Sequence, residues 1–213
     1  ASASCEDLLS LGFLPEAILN FVMLLGWAPK DNRELFTLDQ FIEAFDVNGL
    51  QKANPTFNQT KLDWLNGHYL RQKSDADLAQ LLKPYVPAKT VASDAAKLKS
   101  IVPLIKDRIT KLSDFTSLAG FFYQAPNIDP SLSKDVQKSR THLSAALKTL
   151  QTSPWTKPDL DSNLKSLIES SGFKTGDFFM DLRLAITGSR ITPPITESIV
   201  LLGKEETLSR LKK

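Results

Sequence analysis

Few residues of this chain are of the types that carry out covalent or metal chemistry. Among 213 residues there is one cysteine, Cys5, and there are two histidines, His68 and His142. One cysteine excludes a disulfide framework, and so few ligand side chains leave little material for a metal centre. The sequence has no glycine-rich phosphate loop, no His-Glu-x-x-His and no Gly-x-Ser-x-Gly. We therefore predict that the chain is not catalytic alone and has no metal site.

The residues best suited to binding lie together in one segment, which reads Lys-Leu-Asp-Trp-Leu-Asn-Gly-His-Tyr-Leu-Arg at positions 61–71. In a helix, Leu62, Leu65 and Tyr69 share one face. The neighbouring face carries two cations and two rings: Lys61, Trp64, His68 and Arg71. Either these side chains contact a ligand, or Trp64 packs in the core and the charges are solvated. Gly67 costs a helix about 1 kcal/mol relative to Ala, so we expect it to permit a close approach by a neighbour.

Composition and charge describe an ordinary folded protein. The chain is 42% hydrophobic and 23% charged, which excludes wholesale disorder. Its longest apolar run, residues 17–28, is shorter than the ~20 residues of a membrane span, so we expect a soluble, cytoplasmic protein. Residues 1–50 hold eight acidic and two basic residues, whereas residues 51–213 hold 16 and 24. This asymmetry suits a chain whose basic part contacts an anion, although composition alone favours a chance distribution on a solvated surface.

Nearly every segment has a helical pattern, which predicts an all-α fold. Pro15 is suited to a first helical turn, and Thr37 with Gln40 has the spacing of a capping box. Further helices are expected over 133–150, 159–171, 175–187 and 195–202, the last three followed by glycine. The sequence shows neither an alternating strand pattern nor a repeat of 20–50 residues.

One apolar stripe raises a second functional possibility. Apolar residues recur at helical spacing from Leu98 to Leu112, and Pro103 inside the stripe must kink or split the helix. Such stripes are usually core, but this one could instead form the groove of a helical scaffold that binds proteins and no RNA. Retention on heparin or bulk tRNA that falls steeply with salt would distinguish an RNA-binding module from such a scaffold.

Five stretches, in order, resemble the bacterial-type glutamyl-tRNA synthetases. The first runs from Gly12-Phe13-Leu14-Pro15-Glu16 to Leu25-Gly26-Trp27, the second from Phe36 to Phe45 and the third from Lys61 to Arg71. The last two are Leu182-Arg183-Leu184-Ala185-Ile186-Thr187-Gly188 and Leu201-Leu202-Gly203-Lys204-Glu205. Their order and spacing match across nearly the whole chain, while residues 73–175 match mainly in helical pattern.

The resemblance implies the tRNA-binding C-terminal portion of a class I aminoacyl-tRNA synthetase. The His-x-Gly-His-like motif and the Lys-x-Ser-Lys loop of the family's catalytic domain are absent, and Ala1 aligns just beyond the place of that loop. The full-length enzyme would attach glutamate to tRNA-Glu using ATP and Mg²⁺ bound to the catalytic domain. We expect the present chain to bind tRNA as a monomer, without cofactors, membrane contact or charging activity.

The resemblance also implies three regions and the residues that bind in them. Residues 1–72 would form a stem-contact helical region, and residues 73–126 and 127–213 two anticodon-binding subdomains. The tRNA stem and backbone would be contacted by Lys61, Trp64, His68 and Arg71. An anticodon pocket would include Arg183, Thr192 and Ile195. Thr192 precedes a helix, so its hydroxyl could also serve as a plain N-cap.

Arg108 aligns with the family position that reads the third anticodon base, where arginine accompanies strict use of tRNA-Glu. Cytosine, the third base of glutamate anticodons, presents two neighbouring acceptors, and a guanidinium offers a planar fork of donors. Guanine, the third base of glutamine anticodons, presents donors there instead. Asp107 alone is expected to oppose four nearby cations, Lys97, Lys99, Lys106 and Lys111. The alternative is a contact of Arg108 with Asp114 or a phosphate, without base reading.

Overall fold

The computed structural model describes residues 4–52, 56–87, 94–128, 132 and 135–212, and these residues form a helical fold. Within those ranges there is no strand, only one isolated bridge between Trp27 and Leu50. The all-α prediction is confirmed. The α-helices are α1 (Cys5–Ser10), α2 (Pro15–Gly26), α3 (Leu38–Ala44), α4 (Gln59–Gln72), α5 (Asp75–Leu82), α6 (Asp94–Ile105), α7 (Asp114–Ala119), α8 (Val136–Thr152), α9 (Lys157–Ser171), α10 (Thr175–Thr187), α11 (Ile195–Leu202) and α12 (Lys204–Leu211).

Local capping signals end or begin several helices where the sequence predicted. Pro15 is the first residue of α2. The capping box of α3 is formed, because the Thr37 hydroxyl accepts from the Gln40 N–H at 3.2 Å and the Gln40 side chain accepts from the Thr37 N–H. The last turns of α9 and α10 are followed by Gly172 and Gly188, both with positive φ, a conformation that side chains disfavour.

Two helices begin at caps that the sequence analysis did not single out. The expected start at residue 133 lies outside the described residues, and α8 begins at Val136 with the Asp135 carboxylate accepting the Lys138 N–H. α9 begins two residues earlier than expected, because the Thr156 hydroxyl accepts the Asp159 N–H at 3.4 Å. Both differences come from short polar side chains that form N-caps.

The apolar stripe does not form one helix, but Pro103, where a kink or split was expected, lies inside α6. α6 continues for two residues beyond this proline, ends at Ile105 and is followed by a turn. Every apolar side chain named for the stripe is buried: Leu98, Ile101, Val102, Ile105, Ile109 and Leu112. The stripe is therefore core, and the scaffold alternative loses the observation on which it rested.

The chain forms two compact units, neither of which is continuous in sequence. Unit 1 comprises residues 1–85 and 106–115, and unit 2 comprises residues 86–105 and 116–213. This division reports compactness and not RNA contacts. The functional regions 1–72, 73–126 and 127–213 therefore stay predictions.

Unit 1 is built on the packing of α2 against α4. A buried amide, Asn66 of α4, joins separate segments of the unit. Its Oδ1 accepts from the Leu14 N–H at 2.8 Å, and its Nδ2 donates to the Thr110 carbonyl at 2.6 Å. The Leu112 N–H donates to the Gly12 carbonyl at 3.0 Å, which holds the same returning segment. The core cluster consists of Leu8, Phe13, Ile18, Phe21, Leu62 and Leu65.

Unit 2 packs α8 to α12 around a second core, which contains two buried ionisable side chains. Arg210 is 4% exposed, and its guanidinium donates to the carbonyls of Ile186 and Phe121 at 2.7 and 2.9 Å. His142 is 1% exposed, and its Nδ1 lies 2.7 Å from Oδ2 of Asp181. Both side chains are thus satisfied within the fold, as buried polar groups must be.

Neither a membrane-spanning helix nor a metal-binding cluster occurs in the part of the chain that the structure describes. There, no helix combines the length and the apolar character needed to cross a membrane. In the same residues, no group of three or more His, Cys, Asp and Glu side chains could hold a metal ion.

Candidate nucleic-acid interface

The outward face of α4 brings together the side chains that the sequence assigned to it. Trp64 is 43% exposed, and its ring stacks with that of His68 at a centroid distance of 6.2 Å. Lys61 Nζ lies 4.4 Å from the centroid of the Trp64 ring, a cation–π contact. Trp64 is therefore not a core residue, and the face combines positive charge with an accessible aromatic surface.

The two cations of this face differ, because Lys61 is paired within the protein and Arg71 forms no ion pair or hydrogen bond with another described residue. Lys61 Nζ forms an ion pair with Glu34 at 2.5 Å. The Arg71 guanidinium lies over Gly67, where an added Cβ would be 3.1 Å from Nη1. The close approach expected at Gly67 is thus made by a side chain one turn along α4. The expectation of a neighbouring helix at this glycine was wrong.

The buried face of α4 fixes the orientation of the outward one. The Tyr69 hydroxyl donates to its partners on other segments, the Phe36 carbonyl at 2.9 Å or Asn20 Oδ1 at 2.8 Å. Burial raises the pKa of Tyr69 above its ordinary value, so the hydroxyl keeps its proton at neutral pH. With Asn66 anchored as described, α4 has little freedom to rotate about its axis.

Arg108 lies in the turn that follows α6, and its side chain is exposed. No hydrogen bond or ion pair joins it to another described residue. The Asp114 carboxylate, which the alternative paired with Arg108, accepts from the backbone N–H groups of Thr110 and Lys111 at 2.8 and 3.0 Å. Asp114 thereby holds the backbone of the turn that precedes α7, and the exposed Arg108 guanidinium is accessible to a ligand.

The surroundings of Arg108 in unit 1 are less cationic than the sequence suggested. Lys106 Nζ pairs with Asp75 at 2.9 Å, and Lys111 Nζ lies 3.9 Å from Asp114. The expectation that Asp107 alone opposes these lysines was wrong, because Asp75 is remote in sequence and reaches the turn only in the folded unit.

Arg183 lies on α10 in unit 2 and is half-buried. Its Nε is buried and has no hydrogen-bond partner among the described residues. The helix ends four residues later, where the Thr187 hydroxyl donates to the Arg183 carbonyl at 2.8 Å and Gly188 closes the last turn. An unpartnered buried donor is costly, so this guanidinium is a candidate for an additional acceptor.

Thr192 and Ile195 are both buried, at 6% exposure each. The N-cap of α11 is Pro194 and not Thr192, whose hydroxyl donates to the Pro193 carbonyl at 2.9 Å. The alternative role considered for Thr192, a plain N-cap, is therefore excluded. Because no side chain caps α11, its first N–H groups are the donors that this segment offers.

Sequence analysis missed one charged surface, on α8 in unit 2. Arg140, Ser144 and Lys148 recur at every fourth position and are exposed. They line a groove of about 630 Å³ together with Thr141, Ala145, Thr149 and Leu167. Only the composition of the segment indicates this surface, because residues 136–152 contain neither Asp nor Glu. No motif marks this surface, so pattern reading passed over it.

Comparison with protein-family models gives two matches. The model described as anticodon binding domain matches residues 77–213. The model described as tRNA synthetases class I (E and Q), catalytic domain, matches residues 2–64, which sequence analysis assigned to the stem-contact region. The first match covers more than half of the chain.

The similar proteins and the similar solved structure are glutamate–tRNA ligases. The chain is 35% identical to glutamate–tRNA ligases of Borreliella burgdorferi and Herpetosiphon aurantiacus, over 99% and 98% of its length. It spans 46% and 44% of those relatives, less than half of each. A crystal structure of a glutamate tRNA ligase from Elizabethkingia meningosepticum superposes with a TM-score of 0.83 at 28% identity, over 96% of this chain and 41% of that one. The chain therefore belongs to the anticodon-binding domain family, in the form found in glutamate–tRNA ligases.

Proposed function

We propose that this chain binds tRNA-Glu as the anticodon- and stem-recognising part of a glutamate–tRNA ligase. The observation that carries this proposal is the anticodon-binding domain match to residues 77–213, within a chain similar to glutamate–tRNA ligases over nearly its whole length. The full-length ligase would attach glutamate to tRNA with ATP and Mg²⁺ at its catalytic domain. We further propose that the chain acts as a monomer in the cytoplasm, where its tRNA partner is used.

The face of α4 would hold the tRNA near the junction of the anticodon stem and the core. Lys61 over the Trp64 ring, and His68 stacked on the same ring, offer positive charge beside a flat apolar surface. Arg71 adds a second cation one turn from His68. Such groups suit phosphates and riboses, whose contacts position an RNA without reading its sequence.

The segment from Arg183 to Ile195 would form part of the anticodon pocket. The guanidinium of the half-buried Arg183 can stack on a base or bind a phosphate. Because Thr192 and Ile195 are buried, they would act by shaping the entry to α11, whose uncapped N–H groups can bind a flipped-out base.

Arg108 would read the third anticodon base. Its exposed guanidinium has no partner among the described residues, and its planar donors match the N3 and O2 acceptors of cytosine. Guanine would present donors to the same fork. Replacing C by G should therefore cost about 1–3 kcal/mol of binding free energy, by analogy with base discrimination in DNA.

Gel shifts with transcripts of tRNA-Glu, tRNA-Gln and an unrelated tRNA, at several salt concentrations, test these proposals. We expect salt-dependent binding of all three, tightest for tRNA-Glu. Arg108→Gln should narrow the gap between the C and G anticodons, mainly by tighter binding of the G form. Arg183→Ala should reduce the preference for glutamate anticodons over scrambled ones. Equal binding of C and G anticodons by the unchanged chain would exclude base reading by Arg108. Absence of salt-dependent binding to all three transcripts would overturn the proposed tRNA binding.

A further inference from the structure

The groove on α8 has the chemistry of a phosphate-binding track. Arg140 and Lys148 lie two turns apart, about 12 Å along the helix axis at 1.5 Å per residue. The Ser144 hydroxyl lies midway between them and makes no hydrogen bond to any described residue. Ala145 and Leu167 add an apolar lining to the groove. Cations, a hydroxyl donor and a small apolar surface are thus aligned along one groove.

The cations of the groove differ from their neighbours in having no carboxylate partner among the described residues. On the same helix, Lys138 pairs with Asp177 at 2.5 Å. The hydrogen bond that Lys138 donates to Asp177 raises the pKa of Lys138 above its ordinary value. On α9, Lys157 pairs with Asp161 at 2.6 Å and Lys165 with Glu169 at 3.9 Å. Arg140 and Lys148 are therefore the cations of this surface whose positive charge is left uncompensated.

We propose that the α8 groove binds the phosphodiester backbone of an RNA strand. This proposal rests on the proposed tRNA binding, and it adds a contact that neither the resemblance nor the comparisons assign to these residues. Arg140 and Lys148 would each bind a phosphate, Ser144 would donate to a phosphate oxygen or a ribose hydroxyl, and Leu167 would pack against a ribose. Because contacts to phosphates and riboses carry no sequence information, the groove would act equally on all sequences.

RNA suits this groove better than an acidic peptide does. The groove lies wholly within residues 77–213, the range matched by an anticodon-binding domain. Phosphates repeat along an RNA strand as the cations repeat along the helix axis, so one strand can contact both cations. Each phosphate that is neutralised releases counterions, which favours binding. An acidic peptide is an outcome that the experiment below separates.

The proposal is tested by removing both free cations and comparing a matched control. Arg140→Ala with Lys148→Ala removes two unpaired charges, and Lys157→Ala with Lys165→Ala removes two paired charges from the adjoining α9. We expect the first variant to bind every tRNA about tenfold more weakly near 0.1 M salt. The slope of log affinity against log salt should fall by about 1.4–1.8, which corresponds to two phosphates. The control should change affinity less than twofold, and the ratio between tRNA-Glu and tRNA-Gln should stay constant in both.

A tethered probe gives a positional readout that long-range electrostatics cannot mimic. Cys5→Ser removes the single cysteine, and Ser144→Cys then carries an iron–EDTA reagent into the groove. The control, Ser209→Cys, carries it on the exposed surface of α12, which contributes no residue to the groove. We expect the groove reagent to cleave a short continuous stretch of bound tRNA-Glu and the control reagent to cleave little.

Each outcome is decisive. If the double groove variant matches its control, or if the groove reagent cleaves no better than the control reagent, the groove proposal is overturned while tRNA binding stands. If the unchanged chain binds no tRNA with salt dependence, both proposals fall. An acidic peptide would be the ligand of the groove if two results were obtained together. Polyglutamate would compete with tRNA only when Arg140 and Lys148 are present, and the reagent on Ser144→Cys would not cleave tRNA.

Discussion

The outward faces of α4 and α8 each carry a lysine and an arginine, but only on α4 is one of the two cations, Lys61, paired with a carboxylate of the described residues. On α4, Lys61 is held by Glu34 and lies over Trp64, and Arg71 lies over Gly67. On α8, Arg140 and Lys148 have no carboxylate partner among the described residues. A cation with a fixed partner is already positioned but partly neutralised, whereas a free cation attracts an anion with its full charge. We infer that α4 positions bound RNA and that α8 supplies salt-dependent attraction.

The largest expected effect concerns the anchoring of α4. Asn66→Ala should lower the free energy of unfolding by about 2–4 kcal/mol, because it leaves the Leu14 N–H and the Thr110 carbonyl without their partner. Urea unfolding followed by tryptophan fluorescence measures this. Gln59→Ala is the matched control on the same helix, since its exposed amide bonds only Asp63, and it should change stability by less than ~0.5 kcal/mol. Equal stability of the two variants would show that α4 is not anchored through Asn66.

The next effect concerns the outward face of α4. Lys61→Ala combined with Arg71→Ala should weaken binding of all tRNAs alike, by about three- to fivefold. The salt slope should fall by about 1, because Arg71 can neutralise one phosphate whereas Lys61 is already paired with Glu34. Titrations at four salt concentrations measure both quantities. Unchanged affinity and slope would remove α4 from the interface, and a slope change as large as that of the α8 variant would abolish the distinction drawn between the two faces.

A smaller effect should follow from freeing one cation of α4. Glu34→Gln removes the partner of Lys61 and should raise tRNA affinity about twofold, with a slightly steeper salt slope. Glu43→Gln, which removes an exposed carboxylate on α3, is the control for the change in net charge. A gain of the same size in both variants would mean that net charge acts, and not the release of Lys61.

The smallest effect concerns the paired cations beside the α8 groove. A hydrogen bond to Asp161, together with the charge of Glu197, raises the pKa of Lys157 above its ordinary value. The stabilisation from this pair is fully present below the unfolded pKa of lysine, and it is lost as pH rises through the higher folded pKa. Asp161→Asn should lower the pKa of Lys157 toward the ordinary value, as followed by NMR titration of its side-chain carbons. An unchanged pKa would show that Lys157 is no better paired than a free surface lysine.

The sequence predicted what local chemistry determines. The Thr37 capping box, Pro15 in the first turn of α2 and the glycine at 188 each act within a few residues, and each stands where it was expected. Asn58 likewise caps α4 through an oxygen that accepts the Lys61 N–H at 3.0 Å. These caps depend only on residues at the ends of the helix, so they form in any fold that contains that helix.

The sequence failed where partners come from elsewhere in the chain or where no motif exists. Asp75 reaches Lys106 across 31 positions, so the charge around Arg108 could not be counted from its own stretch. Thr192 has the right type for a cap, but α11 begins at Ile195 and its N-cap is Pro194. The free cations of α8 stand out only once the ion pairs of the adjoining helix are known.

The route of the chain through its two units has a consequence for synthesis. Unit 1 cannot be completed until residues 106–115 have followed the segment 86–105, which belongs to unit 2. At about 5–20 residues per second, the ribosome needs about 1.5–6 s to make residues 86–115. During that interval Asn66 lacks the Thr110 carbonyl that it binds in the finished protein. A nascent chain stalled in this window presents a half-closed unit to chaperones and proteases, and rare codons between residues 86 and 115 would lengthen its exposure.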